Sequence, residues 1–446
     1  MFDVGMQVAT HDIKDEGVDT VMGNMQTLGN VHTVYVMCNY WTGERQPYPK
    51  GELPHNPKRK VYYPTGGLYF DPHPRFYKKS ILKPVRTPEP DFKDFDVLKA
   101  ATVSARERRM RVLAWVMALR EYIADKYQKY TMVDVYGRRA SGYLCPSNPE
   151  VSGYVVSLIQ DIIHNYSVDG IFLDRFRFPE WAGPGKGFDP AFTCFCKKCL
   201  KRAKRDGIDI SRIRKSMRRT AEIVKSDKIS SILSRFLTYR KGSLDLVETL
   251  VGLPELVEWI NFRQDVTTDF VSRIYESIKD TNPKLELSLD LWPPSYSWLL
   301  GQNYRKLRKC CDSLKYFTYH RLGGGVDIKA VVEELKRLNP SLQVSPFLDL
   351  FYRFFGFSGP RELDELGEKG FTIDFVLEET LKALEETGKE VKVYPGVQIW
   401  DLTPAEVKET VAKSLEADVD GIIGLCYGWA PLENIESFGN AVRELR

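Results

Sequence analysis

Apolar segments that resemble buried strands alternate with helical segments along the whole chain. Eight such segments are mostly apolar rather than alternating with polar residues, and they lie at 2–9, 31–41, 111–119, 169–178, 285–292, 313–320, 391–400 and 420–429. Helical periodicity falls between them, at about 11–28, 95–108, 149–166, 253–280, 374–387 and 404–416. Strands buried on both faces of a parallel sheet have this pattern. Eight of them separated by helices predict an α/β fold that closes into a TIM (β/α)₈ barrel.

Two connections are too long to be plain loops of this barrel. We interpret 1–446 as a single barrel domain with insertions after the second and fourth strands, at about 42–93 and 179–252. Long connections within a compact fold are usually functional. A ninth strand candidate, QVSPFLDLF at 343–351, is flanked by aromatic and Gly-rich sequence, and we assign it to an insertion.

Composition and charge limit the compartments and the classes of partner that are expected for this protein. The chain begins without a basic segment followed by an apolar core, and no apolar run is long enough to span a bilayer. We therefore expect a cytoplasmic protein without a membrane partner. The net charge is only +4, and the basic stretch 197–241 is more typical of a solvated helical face than of a nucleic-acid site. The sequence is compatible with a homo-oligomer and with a monomer.

Two carboxyl groups are expected at the mouth of the barrel, where enzymes of this fold carry their active sites. Asp174 ends the fourth strand, and Asp290 lies near the end of the fifth, on the face opposite a row of leucines. Glycoside hydrolysis needs two carboxyl groups that flank one bond. We interpret Asp174 as nucleophile or base, kept ionised by nearby Arg175 or Arg177, and Asp290 as general acid/base. The alternative for Asp174 is a structural ion pair with an arginine. Glu180 and Asp401 are further candidates for a catalytic carboxyl group.

Aromatic and polar side chains at the other strand ends are candidates for sugar binding. An indole face packs against the C–H face of a pyranose, although tryptophans also cap barrel cores. His320 could bind a hydroxyl or serve as a structural group. The candidate substrate-binding residues at these strand ends are Trp41, Arg175, Trp292, Tyr319, His320, Gln398, Trp400 and Trp429.

Three cysteines within six residues, Cys194, Cys196 and Cys199, indicate a metal site rather than disulfides. Zinc prefers four tetrahedral ligands. Cys145 follows the third strand and is the natural fourth ligand, because the third and fourth strand ends are neighbours. Such a closed site would hold structural zinc, without a catalytic metal or an organic cofactor. Free thiols without metal are the alternative.

Several segments together carry a resemblance to known families. They are CPSNPEV at 145–151, DGIFLDRFRFP at 169–179 and FTCFCKKCL at 192–200, with YFTYHR and VYPGVQ further on. In this order they resemble poorly characterised families of glycosyl-hydrolase-like (β/α)₈ barrels, related to the α-galactosidase-like superfamily. In that superfamily the aspartate on the fourth strand is the nucleophile, which implies this role for Asp174.

The cysteine arrangement is also similar to the zinc site of family 42 β-galactosidases, which has one upstream Cys followed by CxCxxC. This similarity implies zinc at Cys145, Cys194, Cys196 and Cys199. Those enzymes carry an Asn-Glu pair on the fourth strand, where this chain has Asp174-Arg175, and a Glu at the end of the seventh strand that this chain lacks. The similarity therefore does not extend to their catalytic pair.

The sequence thus predicts a glycoside hydrolase or transglycosylase of carbohydrate metabolism, acting on a sugar substrate through Asp174 and Asp290. Two alternatives belong to other classes. One is a non-catalytic carbohydrate-binding barrel that uses its tryptophans alone, and the other is a barrel enzyme of a different reaction class.

Overall fold

Eight parallel strands close into one barrel. The computed structural model describes residues 2–40, 52–120, 122–180, 187–226, 228, 230, 248, 251–322 and 325–446. Each strand pairs with its neighbours in chain order, and the first pairs with the eighth. The barrel strands are Asp3–Val8, Thr33–Met37, Arg111–Met117, Gly170–Asp174, Glu286–Leu291, Ser313–Phe317, Lys392–Gln398 and Gly421–Leu425. The predicted TIM barrel is confirmed, and each predicted strand overlaps an observed one.

Helices surround the barrel and bury one face against its strands. The α-helices are Thr10–Glu16, Val18–Thr27, Val97–Glu107, Ile123–Lys126, Pro149–Asn165, Lys197–Arg205, Ile210–Val224, Pro254–Thr281, Pro294–Ser297, Tyr304–Leu307, Ile328–Leu338, Val344–Phe355, Leu363–Lys369, Asp374–Thr387, Pro404–Leu415 and Leu432–Leu445. Some of them start with a side-chain cap. The Asn148 side chain accepts from the Glu150 N–H, and Thr403 forms a capping box with Glu406.

Two short antiparallel hairpins extend connections near the carboxyl ends of the strands. One joins Asn39–Tyr40 to Gly67–Leu68 after the second barrel strand, and the other joins Thr131–Val133 to Arg139–Leu144 after the third. The second hairpin leads directly to Cys145. Each hairpin therefore builds up the rim on which functional residues of this fold are placed.

The amino-terminal end of the barrel is closed by a polar floor. Arg111 forms ion pairs with both Asp3 and Glu286, and Ser313 donates to Glu286 over 2.6 Å. Directly above, aromatic rings fill the interior, since Tyr35 contacts Phe172 at 4.7 Å between ring centroids. The barrel is therefore a packed core, as its small diameter requires.

The segment 343–351 is not a strand. It lies within the helix Val344–Phe355, which carries its buried residues Leu348 and Tyr352 four positions apart on one face. Aromatic and β-branched residues give this segment the composition of a strand, but their spacing has the period of a helix. The segment is thus no barrel strand, in agreement with its separation from the eight predicted strands.

A cavity of about 750 Å³ opens at the amino-terminal end of the strands, where Arg111, Glu286, Asp312 and Lys392 are among its lining residues. Barrel enzymes carry their chemistry at the opposite end, so we do not place the active site here. Among the described residues, no helix combines the length and hydropathy needed to cross a bilayer.

Candidate active site

Asp174 is held at the barrel mouth by donors on both of its oxygens. It is the last residue of the fourth strand and is only 4% exposed. Trp115 donates from Nε1 to Oδ2 over 3.0 Å, and the backbone N–H of Arg175 donates to Oδ1. Arg177 Nη1 lies 3.5 Å from Oδ1. These donors fix the orientation of the carboxylate and stabilise its negative charge.

Asp290 has a different environment, because its partner is a buried lysine. Lys315 Nζ lies 2.9 Å from Asp290 Oδ1 and also donates to the Tyr319 hydroxyl over 2.7 Å. Burial raises the pKa of Asp290 to about 7; the Lys315 ammonium opposes this rise, and the Asp174 carboxylate adds to it. Burial likewise lowers the pKa of Lys315. Asp290 is therefore partly protonated near neutral pH.

The two aspartates lie at the same level of neighbouring strands. The parallel ladder pairs Leu173 with Leu289, so Asp174 and Asp290 follow as the next opposed positions on the inward face. In this arrangement the Asp174 carboxylate contributes to the raised pKa of Asp290. Carboxyls in unlike environments separate the acid role from the base role.

A third carboxylate, Glu180, is neutralised by arginines. Arg177 donates to Glu180 Oε1, Arg175 Nη1 lies 2.9 Å from the same oxygen, and Tyr143 donates to Oε2 over 3.2 Å. Burial tends to raise the pKa of Glu180, but the guanidinium groups of Arg177 and Arg175 hold it well below its usual range. Glu180 therefore stays ionised at neutral pH and orients Arg177, which contacts Asp174 in turn.

Tryptophans and a tyrosine follow the ends of the fifth to eighth barrel strands. Trp400 and Trp429 stack on each other at 5.6 Å between ring centroids, and Tyr319 meets Trp400 edge-on at 6.2 Å. Trp292 packs against Tyr296, with the Arg177 guanidinium 5.3 Å from its ring centroid. Trp41 lies outside the described residues.

The remaining candidates for sugar binding differ in how their polar atoms are used. The side-chain amide of Gln398 forms two hydrogen bonds with the backbone. It accepts from Leu322 N–H and donates to Trp400 C=O, both over 3.0 Å. Its contacts hold two loops together. His320 is buried, and burial lowers its pKa to about 4, so the ring is neutral at neutral pH. Its Nδ1 has no hydrogen-bond partner within the described part of the chain.

Lys315 is the residue of this site that the sequence did not single out. A lysine within an apolar strand resembles an exposed position, and only the inward parity that it shares with Ser313 points to the interior. Gly396 on the next strand leaves room for its side chain, because a Cβ at 396 would overlap Lys315 Cε. Trp115 was missed for a similar reason, since an inward tryptophan resembles core.

The four predicted metal ligands come together next to this site. The Sγ atom of Cys145 lies 3.5 Å from that of Cys196 and 3.6 Å from those of Cys194 and Cys199. All four sulfur atoms lie within 4.8 Å of one another, and three of the cysteines are buried while Cys196 is partly exposed. The cluster joins the connections after the third and fourth strands, and could hold one metal ion.

Solved structures with the same fold include several glycoside hydrolases. The PgaB (BpsB) glycoside hydrolase domain from Bordetella bronchiseptica matches at 12% identity over 99% of this chain and 98% of that one, with a TM-score of 0.55. The catalytic domain of β-amylase from Paenibacillus polymyxa matches at 10% identity over 100% and 99%, also at 0.55. At such low identity these similarities show the barrel fold alone.

A β-galactosidase from the psychrophilic Marinomonas ef1 matches at 10% identity with a TM-score of 0.54, over 99% of this chain but only 59% of that one. No curated protein sequence matches the chain. The family model described as Glycosyl hydrolase-like 10 matches residues 77–308, which include the third and fourth barrel strands and all four clustered cysteines. This match spans more than half of the chain, which therefore belongs to the Glycosyl hydrolase-like 10 family.

Proposed function

We propose that the chain cleaves a glycosidic bond with Asp174 as nucleophile or base and Asp290 as general acid/base. Transfer of the glycosyl group to another acceptor would follow the same chemistry. The enzyme class itself, a glycosidase of unknown specificity, follows from family membership and agrees with the resemblance found in the sequence. The observation that carries the mechanism is the pairing of two inward carboxyls, one among hydrogen-bond donors and one buried beside a lysine.

Each aspartate has the surroundings that its role requires. Asp174 must be ionised to attack the anomeric carbon or to take a proton from water, and Trp115 and the Arg175 N–H stabilise that charge. Asp290 must carry a proton for the leaving oxygen, and burial favours its protonated form. In the second half of the reaction the aspartate left ionised can take a proton from water.

Lys315 is a positioning residue in this scheme. Its ammonium holds Asp290 through Oδ1 and Tyr319 through the hydroxyl. Because it limits the rise in the pKa of Asp290 that burial causes, it keeps the proton transferable near neutral pH. The substrate is a carbohydrate, and the stacked pair Trp400 and Trp429 is suited to pack against a sugar face.

The rate should depend on pH through Asp290. Its raised pKa of about 7 means that the proton is present below neutral pH and is lost as the pH rises. On a cleaved aryl glycoside we therefore expect kcat/KM to fall above about pH 7, with a basic limb that is absent in Asp290→Asn. A basic limb that persists unchanged in Asp290→Asn would assign the proton to another group.

We also infer that the four clustered cysteines hold a structural zinc ion. With Zn–S bonds of about 2.3 Å, a tetrahedral site places its sulfur atoms about 3.8 Å apart, and the observed separations from Cys145 are 3.5 to 3.6 Å. Four thiolates leave no position for water or substrate, so the ion would stabilise the fold next to Asp174 rather than take part in the reaction.

This assignment predicts one zinc per chain by elemental analysis. Cys145→Ser should lose most of the zinc and lower the Tm by about 5 °C or more, because metal binding contributes to folding. Cys310→Ser is the matched control, since Cys310 is a buried thiol that donates to Leu307 C=O, and serine can replace it there. If both variants keep the same zinc content, the cysteine cluster is not the metal site.

A further inference from the structure

A second group of polar residues is buried at the end of the first barrel strand. Gln7 lies within the strand, and Thr10, His11 and Asp12 follow it at the start of the helix Thr10–Glu16. All four are completely buried. Fully buried polar side chains are unusual and generally have hydrogen-bond partners.

Several of their polar atoms have no partner among the described residues. They are Gln7 Nε2 and Oε1, Thr10 Oγ1 and His11 Nδ1. Asp12 Oδ2 accepts from the Ala9 N–H over 3.0 Å, while Oδ1 faces His11 Nε2 at 3.1 Å without hydrogen-bond geometry. So many unpaired buried atoms in one place indicate a site that is completed by a ligand or by water.

The strand that carries Gln7 lies opposite the fifth strand, which carries Asp290, in the closed barrel. Gln7 shares its strand face with Gly5 and Asp3; a Cβ at Gly5 would contact the inward Tyr35 ring, and Asp3 reaches the floor residue Arg111. Gln7 therefore faces the interior. Cys426, which donates from Sγ to Gln7 C=O over 3.0 Å, interacts electrostatically with both Asp12 and Lys315.

An aromatic ring packs on one side of the group, and a glycine lies on the other. The Tyr62 ring lies 4.2 Å from that of His11. On the other side the Asp12 carboxyl occupies the space in which a side chain at 428 would stand, so only glycine fits there. Gly428 precedes Trp429, the tryptophan that stacks on Trp400. Gly428 therefore places the Asp12 carboxyl one residue along the chain from the tryptophan pair.

The group carries no net charge at neutral pH. Burial, with a contribution from Arg59, lowers the pKa of His11 to about 3, so its ring is neutral. Burial, with a contribution from Glu16, raises the pKa of Asp12 to about 8, so its carboxyl is mostly protonated. An amide, a hydroxyl, a neutral imidazole and a carboxylic acid together offer donors and acceptors that suit hydroxyl groups.

We propose that Gln7, Thr10, His11 and Asp12 form a subsite that binds adjacent hydroxyl groups of an uncharged sugar ring. The subsite lies across the mouth from Asp174 and Asp290, and it determines which sugar is accepted. A carboxylate or ammonium substituent on the ring would be disfavoured there, because none of the four side chains offers a compensating charge. This inference rests on the proposed function.

The test compares Gln7→Leu and His11→Phe with wild type on p-nitrophenyl glycosides of neutral hexoses and pentoses, their uronic acid and amino counterparts, and monodeoxy analogues. Binding is followed by tryptophan fluorescence in an Asp174→Asn background, and KM and kcat are measured with Asp174 intact. Thr267→Val is the control, because Thr267 also has a buried hydroxyl without a partner among the described residues, on an outer helix.

We expect Gln7→Leu to weaken binding of the preferred neutral glycoside tenfold or more without lowering the Tm, and Thr267→Val to bind like wild type. A deoxy analogue that lacks the contacted hydroxyl should lose affinity in wild type but not further in Gln7→Leu. If both Gln7→Leu and His11→Phe bind as wild type does, or a uronide is preferred, the subsite assignment falls while the Asp174 mechanism stands. If wild type neither binds nor cleaves any glycoside, both fall together.

Discussion

Asp174→Asn should lower turnover on any cleaved glycoside by roughly four orders of magnitude or more, because it removes the group that attacks or activates water. The fold and sugar binding should survive. Asparagine keeps an oxygen for Trp115 Nε1, and Arg177 retains its ion pair with Glu180. The measurement is kcat on a panel of aryl glycosides, with circular dichroism and the change of tryptophan fluorescence on sugar addition as checks of fold and binding.

Glu180→Gln is the control variant for Asp174→Asn. It distinguishes the loss of a catalytic carboxylate from the loss of a negative charge at this strand end. It removes a neighbouring carboxylate that the arginines pair with, but not one assigned to the reaction. We expect a far smaller loss of rate than in Asp174→Asn. Turnover at the wild-type rate in Asp174→Asn would eliminate the mechanism. Fluorescence changes without cleavage of any glycoside by the wild type would instead indicate a carbohydrate-binding barrel.

Asp290→Asn should slow glycosides with poor leaving groups by about 10² to 10⁴, the range expected for loss of general acid catalysis. Glycosides with an acidic phenol as leaving group, such as 2,4-dinitrophenol, need little protonation, so their first step should be nearly unaffected. The measurement is the rate as a function of leaving-group pKa for wild type and variant. An equal loss for every leaving group would assign Asp290 a role other than proton donation.

The buried lysine complicates this experiment and supplies its control. Asp290→Asn leaves the Lys315 ammonium without its carboxylate partner in a site that is completely buried. Breaking a buried ion pair on one side costs about 3–5 kcal/mol of stability. The double variant Asp290→Asn, Lys315→Met removes the stranded charge and should recover stability without recovering the rate. Recovery of the rate as well would mean that misfolding, not loss of the acid, had slowed the single variant.

The barrel could be predicted from the sequence because its strands are buried on both faces. Strands such as Lys392–Gln398 and Gly421–Leu425 have mostly apolar residues on both faces. The repetition of such segments along the chain therefore predicted the fold. The cysteine cluster was also predictable, since CxCxxC is local and Cys145 follows the neighbouring strand. The segment 343–351 resembled a strand in composition, but its flanking sequence set it apart from the barrel, and it forms a helix.

The candidate site was only partly predictable. Asp174 and Asp290 stand at strand ends, where parity and topology predict their direction. Lys315 and Trp115 lie inside strands, and their roles depend on which residue the next strand places opposite them. Gln7, His11 and Asp12 were not predicted, because the segment THD after the first strand resembles an ordinary start of a helix. Residues of this kind can be recognised only in a structure, which shows that their buried polar atoms have no hydrogen-bond partners.

The polar floor of the barrel has a consequence for proton supply. Arg111, Asp3 and Glu286 close the lower end, and the rings of Tyr35 and Phe172 fill the level above. Within the described part of the chain, these groups stand between Asp290 and the cavity at the lower end. A sugar seated in the mouth would cover Asp290 from above, so we expect a proton given to one leaving group to be restored through the incoming acceptor molecule or after the product departs.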